Sequence, residues 1–101
     1  MIRMEKPRIL VHEYVTGGGW PEPDLPVGLA DEALAMLCAV LADFQAWGQV
    51  HTTATIDARL ASANLAADRV VVLRPDRHRS TLLSLAAECS AALVIAPESR
   101  G

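Results

Sequence analysis

The chain has 101 residues, about half of them hydrophobic, and a formal net charge of −3 at neutral pH. This length is typical of one domain with a single core. The arginines are scattered and form no broad basic face, so we expect no nucleic-acid partner. Charged side chains interrupt the longest apolar stretch, residues 29–47, and we expect no membrane span. The first residues do not resemble a signal peptide, which favours a cytoplasmic location.

The cysteines and histidines do not follow a metal-binding pattern. Cys38 and Cys89 lie within predicted helices, far from the spacing of a metal or redox pair. His12, His51 and His78 fall in three separate predicted elements. The sequence therefore predicts reduced thiols and no metal site.

Four apolar segments have the character of buried strands. They are residues 8–15, residues 50–57, residues 69–73 and residues 91–96. The third is the clearest, because it contains three consecutive valines and ends at a proline. These segments predict a four-stranded sheet.

Helical patterns fall between the predicted strands. Residues 29–47 carry an apolar stripe that ends at Gly48, and the alanine-rich residues 59–67 predict a short second helix. A third helix, with Asp76 or Ser80 as its candidate N-cap, has an inward face formed by Leu82, Leu83, Leu85, Ala86 and Cys89. Alternation of helices with buried strands predicts an α/β fold, a Rossmann-like three-layer domain with a parallel sheet and helices on both faces.

Three consecutive glycines follow the first predicted strand. A strand that ends in a loop without side chains exposes backbone amides at the carboxyl edge of the sheet, where open α/β proteins bind ligands. The alternative is a flexible loop without a ligand. On the first interpretation, a Cβ at Gly18 would obstruct a ligand more than the core.

Glu13 shares a face of the first strand with Ile9 and Val11. A carboxylate next to apolar packing needs a partner or a ligand. We consider three alternatives to a ligand: an ion pair with Arg59, an ion pair with Arg74, or a cap on the amides of the glycine loop.

Asp57 ends the second predicted strand. In nucleotide-binding α/β domains, an acidic residue at the same position binds a ribose hydroxyl. It could equally cap the helix predicted at residues 59–67. Glu98, after the fourth strand, is either at the rim of the same crevice or at the start of a linker. The predicted substrate-binding set is Glu13, Tyr14, Gly17, Gly18, Gly19, Asp57 and Glu98.

Three segments, residues 11–19, residues 57–60 and residues 94–98, together resemble the amino-terminal domain of ATP-grasp ligases. The most specific is Glu-Tyr-x-x-Gly-Gly-Gly, which is similar to the opening of the tyramine-glutamate ligase group. ATP-grasp enzymes activate a carboxylate as an acyl phosphate and transfer it to an amine. Their leading domain supplies one wall of the substrate cleft.

The resemblance implies that residues 1–101 are a single pre-ATP-grasp domain, the leading part of a longer ligase. A small amino-acid-like substrate, ATP, magnesium and downstream ATP-grasp domains are then expected for the full-length enzyme. We expect no catalytic residue and no bound cofactor in this chain alone. The alternative is a free-standing α/β interaction or dimerisation module, favoured by the wide apolar surface of residues 29–47; a homodimer is possible in either case.

Overall fold

The computed structural model describes residues 5–96 and contains four parallel strands. These are β1 (Arg8–Glu13), β2 (His51–Asp57), β3 (Arg69–Leu73) and β4 (Ala91–Ile95). They form one sheet in the order β3-β2-β1-β4, so β1 and β2 are central and β3 and β4 lie at the edges. The predicted parallel sheet is confirmed.

Two helices pack on opposite faces of this sheet: α1 (Val27–Trp47) and α2 (His78–Glu88). The main core lies under α1, where Leu37 and Leu41 pack against Val11 of β1 and Ile56 of β2. Residues of β1 on the opposite face, Leu10 and His12, alternate with Val11 and are also buried. The Rossmann-like α/β architecture with helices on both faces is therefore confirmed.

The ends of both helices reflect local chemistry. Gly48 ends α1 in the left-handed conformation at φ 71°, and its N–H donates to the Phe44 carbonyl, as predicted for a glycine cap. Neither candidate N-cap of the last helix is correct. A 3-10 turn, Pro75–Arg77, leads directly into α2, and Arg77 occupies the cap position without a side-chain hydrogen bond.

The helix predicted at residues 59–67 is wrong. Ala58–Leu60 form only a 3-10 turn, and residues 61–68 are turn and irregular backbone. Alanine favours helix, but isolated segments this short are marginal, and tertiary contacts decide their conformation. Here Asp57 accepts the Arg59 N–H at 2.8 Å, and Leu65 enters the core under α1.

Candidate functional site at the carboxyl edge of the sheet

The three glycines form part of a tight turn above the ends of β2 and β3. The Gly19 N–H donates to the Tyr14 carbonyl at 3.0 Å and closes a turn over Val15–Gly19, in which Gly17 and Gly18 depart from helical backbone angles; we call it the glycine turn. Every residue of the turn from Val15 to Gly19 is buried. It is therefore a packed element rather than a loop open to solvent.

A side chain at Gly18 would enter the core. Its φ of 95° favours glycine, and an added Cβ would lie 2.6 Å from the Leu73 Cβ. At Gly17 an added Cβ would lie 2.6 Å from Thr55 Oγ1. The expectation that a Cβ at Gly18 would obstruct a ligand more than the core is wrong, because glycine here allows the turn to approach β2 and β3 closely.

Glu13 ends β1 and is only 2 % exposed. Its Oε1 accepts two hydrogen bonds from Thr16, at 2.6 Å from the backbone N–H and 2.8 Å from the hydroxyl. The loop cap is thus present, whereas Arg59 contacts other groups. Among the described residues, no donor contacts the second oxygen, Oε2.

Glu13 also lines a cavity of about 210 Å³ between the start of α1 and the end of β4. A second acidic side chain, Glu32, contributes to the lining, and among residues 5–96 no arginine, lysine or histidine does. The rest of the lining is apolar: Leu29, Ala33, Met36, Ile95 and Ala96. Two carboxylates among apolar side chains suit a ligand that has a cationic group and a hydrocarbon part.

A larger cavity, of about 370 Å³, opens at the opposite edge of the sheet, where Arg8, His51 and Arg69 begin their strands. In open parallel sheets, ligands bind outside the carboxyl ends of the strands. The cavity at Glu13 has that position and contains a buried carboxylate, so it is the stronger candidate despite its smaller volume.

Asp57 is fully buried and pairs with Arg59. Its Oδ1 accepts the backbone N–H and Nε of Arg59, and its Oδ2 accepts Nη2 at 2.7 Å. Burial raises the pKa of Asp57, but the side-chain and backbone hydrogen bonds from Arg59 outweigh it and hold the pKa below its usual value. This carboxylate is already occupied as the cap of the 3-10 turn.

The guanidinium of Arg59 links Asp57 to the segment after the glycine turn. Nη1 donates to the Glu22 carbonyl at 2.6 Å and to the Pro23 carbonyl, and Nη2 donates to the Trp20 carbonyl at 2.9 Å. The pair therefore holds this proline-containing segment against the sheet. A ribose-binding role for Asp57 would require this network to open.

A histidine pair lies beside the glycine turn, on the face covered by α2. His12 Nδ1 lies 2.7 Å from Thr55 Oγ1, and His12 Nε2 lies 3.0 Å from His78 Nε2. Tyr14 contacts the His78 ring edge-on, at 6.0 Å between centroids. Sequence reasoning missed this pair, because 66 residues separate its members and no motif connects them.

Both histidines favour the neutral form. Burial, and secondarily the nearby His78, lower the pKa of His12 from 6.5 to about 4. Burial also lowers the pKa of His78. A neutral pair can share one N–H between the two Nε2 atoms, whereas two charged rings at 3.0 Å would repel each other.

The predicted site residues thus divide into two groups. Glu13, Tyr14 and the three glycines lie together at the end of β1, whereas Asp57 is directed to Arg59. Glu98 lies outside the described residues.

Within residues 5–96 there is no group of three or more histidine, cysteine or acidic side chains placed to hold a metal ion, and no helix is long and apolar enough to cross a membrane.

The structure is an α/β domain with a cavity at the carboxyl edge of its sheet. A family model, the pre ATP-grasp 3 domain, matches residues 50–101, just over half of the chain. The chain belongs to this family, which makes it a domain of an ATP-grasp type ligase. Glu13, Tyr14 and the glycine turn precede the matched segment. Neither the curated proteins nor the solved structures contain a match.

Proposed function

We propose that the chain is the substrate-side domain of an ATP-dependent carboxylate-amine ligase and has no catalytic activity alone. The family match supports the class of enzyme. The similarity of the Glu-Tyr-x-x-Gly-Gly-Gly segment to the tyramine-glutamate ligase group supports a substrate wall at the end of β1. In this proposal the domain contacts a small amino-acid-like substrate, while downstream ATP-grasp domains bind ATP and magnesium.

The buried carboxylate of Glu13 carries the proposal. Glu13 is only 2 % exposed, and a carboxylate with so little access to water needs hydrogen bonds or a cation as a partner. Thr16 donates to Oε1, whereas Oε2 accepts no hydrogen bond from residues 5–96 and is not among their fully buried polar atoms without a partner. Since Glu13 lines a cavity, a ligand donor there would complete its hydrogen bonding.

The charge of the cavity indicates which end of the substrate it binds. Glu13 and Glu32 would repel a phosphate or a carboxylate and attract an ammonium group. The apolar side chains of Leu29 and Met36 would contact the hydrocarbon part of the same molecule. We therefore assign the amine-bearing substrate to this cavity.

We propose no magnesium-nucleotide site among residues 5–96. Residues 5–96 provide no cluster of three or more metal-ligating side chains, and the glycine turn is buried. We accordingly assign the nucleotide to other domains and derive no step of phosphoryl transfer from this chain.

Paired ligands test the proposal on the 101-residue chain. A short primary amine with an apolar tail and its N-acetylated counterpart differ in charge but hardly in the tail. NMR titration should shift the amides of Ala33, Met36 and Ile95 with the amine and leave them unchanged with the acetylated compound. Equal shifts with both compounds, or no shift with a panel of amines, would contradict the proposal.

A further inference from the structure

Strand β4 leaves one edge of the sheet unpaired within the described chain. It pairs only with β1, in the register Ile9↔Ala91 to Glu13↔Ile95. The Tyr14 N–H donates to the Ile95 carbonyl at 2.8 Å. Because alternate residues of a strand direct their N–H and C=O groups to opposite sides, Ala92 and Val94 direct theirs away from the sheet.

This edge lacks the features that protect natural sheet edges. Ala91–Ile95 contain no charged residue and no proline, and the Val94 side chain is 58 % exposed. The opposite edge differs. There β3 begins with Arg69, which lies 3.7 Å from Glu88, and is followed by Arg74.

An apolar groove runs along the same edge. Leu93 forms it together with three side chains of α1, Val40, Phe44 and Trp47, and the groove has a volume of about 300 Å³. Trp47 is 60 % exposed and Leu93 is 38 % exposed. Asp43 completes the lining as an exposed residue. We call these five residues the edge groove.

We propose that β4 pairs antiparallel with β4 of a second copy of this chain, joining two sheets into one of eight strands. The outward-facing N–H and C=O groups of Ala92 and Val94 can pair with another strand, because a strand offers donors and acceptors at matching spacing. The exposed side chains of the edge groove then become buried alongside the new strand.

Two properties of β4 favour a second copy over a different partner. The strand is uncharged, so self-pairing places no like charges opposite each other. A two-fold axis perpendicular to the sheet also keeps α1 of both copies on the same face. Leu93 of each copy and the edge groove of each copy then lie side by side and form one continuous apolar surface.

Sedimentation velocity over a wide range of concentrations tests the proposal with two matched variants. Val94→Lys places two ammonium groups in the proposed interface and should raise the dimer dissociation constant about tenfold or more. Val72→Lys makes the same change on the opposite edge strand, at a residue that is 52 % exposed. It should leave the dimer intact. Thermal unfolding of both variants verifies that the monomer still folds.

Hydrogen exchange of the wild-type chain supplies a readout that does not depend on any variant. The amides of Ala92 and Val94 should gain protection as concentration rises, whereas Leu93, already bonded to β1, should not. A monomer at all concentrations would overturn the proposal and would mean that β4 pairs with another domain or protein, or with none. A dimer broken by Val72→Lys but not by Val94→Lys would overturn it as well.

Discussion

Acidification from pH 7 to pH 5 should destabilise the fold through His12. The ring is 1 % exposed, and its pKa in the folded protein is about 4, against 6.5 when unfolded. A histidine whose folded pKa is depressed stabilises the fold at pH values above 6.5. This contribution is lost as the pH falls from 6.5 to about 4, because in that range the unfolded chain binds one more proton than the folded protein.

The size of the effect follows from these two pKa values. One pKa unit corresponds to about 1.4 kcal/mol, so full protonation costs about 3.5 kcal/mol and the step from pH 7 to pH 5 costs about 2 kcal/mol. The lowered pKa of His78 acts in the same direction. Asp57 and Asp68 also have lowered pKa values, but carboxyl groups change stability at lower pH. We therefore attribute the change between pH 7 and pH 5 to the histidine pair.

Urea unfolding at pH 7 and pH 5 measures the loss directly. His12→Phe should flatten the pH dependence, because the variant keeps a ring of similar size without the titrating group. His51→Gln is the matched control and should keep the dependence that His12 and His78 cause. A wild-type protein equally stable at both pH values, or an unchanged dependence in His12→Phe, would refute this reasoning.

Three further predictions concern the glycine turn, the arginine bridge and ATP. Gly18→Ala should lower the free energy of unfolding in urea by about 1–3 kcal/mol, because the added Cβ clashes with Leu73 and the φ is positive. Gly28→Ala in α1 should raise it by about 0.5–1 kcal/mol, because an added Cβ there meets nothing within 4 Å. Equal effects would contradict the packed turn. Arg59→Lys should speed limited proteolysis within residues 20–26, since lysine cannot reach Asp57 and three carbonyls together; an unchanged cleavage rate would count against the bridge. The purified chain should release no phosphate from ATP above a buffer blank, and clear release would contradict the assignment of the nucleotide to other domains.

The strands were predictable because buried parallel strands leave a strong local signal. β3 has the predicted bounds, and β1 ends two residues earlier than predicted because the Tyr14 carbonyl accepts the hydrogen bond that closes the glycine turn. The segment after Asp57 was not predictable from its alanine content. Its conformation depends on Arg59, whose partners are up to 39 residues away in sequence.

The candidate site was predictable in position but not in detail. The strand-glycine pattern correctly indicated that Glu13 and the glycine turn meet at the carboxyl edge of the sheet. It could not indicate that the glycines pack inward, since that depends on the proximity of Leu73. The contact between His12 and His78 arises only from the packing of α2 on the sheet, which no local pattern encodes.

The claim that Glu13 binds an amine is tested most directly by measuring ligand affinity and unfolding free energy on the same variant. Glu13→Gln keeps an oxygen that can accept both Thr16 hydrogen bonds but removes the charge at the cavity. We expect amine binding to weaken by about 1.5–3 kcal/mol, the range for a hydrogen bond to a charged group, with stability nearly unchanged. Glu22→Gln, an exposed carboxylate outside the cavity, should alter neither quantity. Unchanged affinity with a large loss of stability would show that Glu13 is only a cap on the glycine turn.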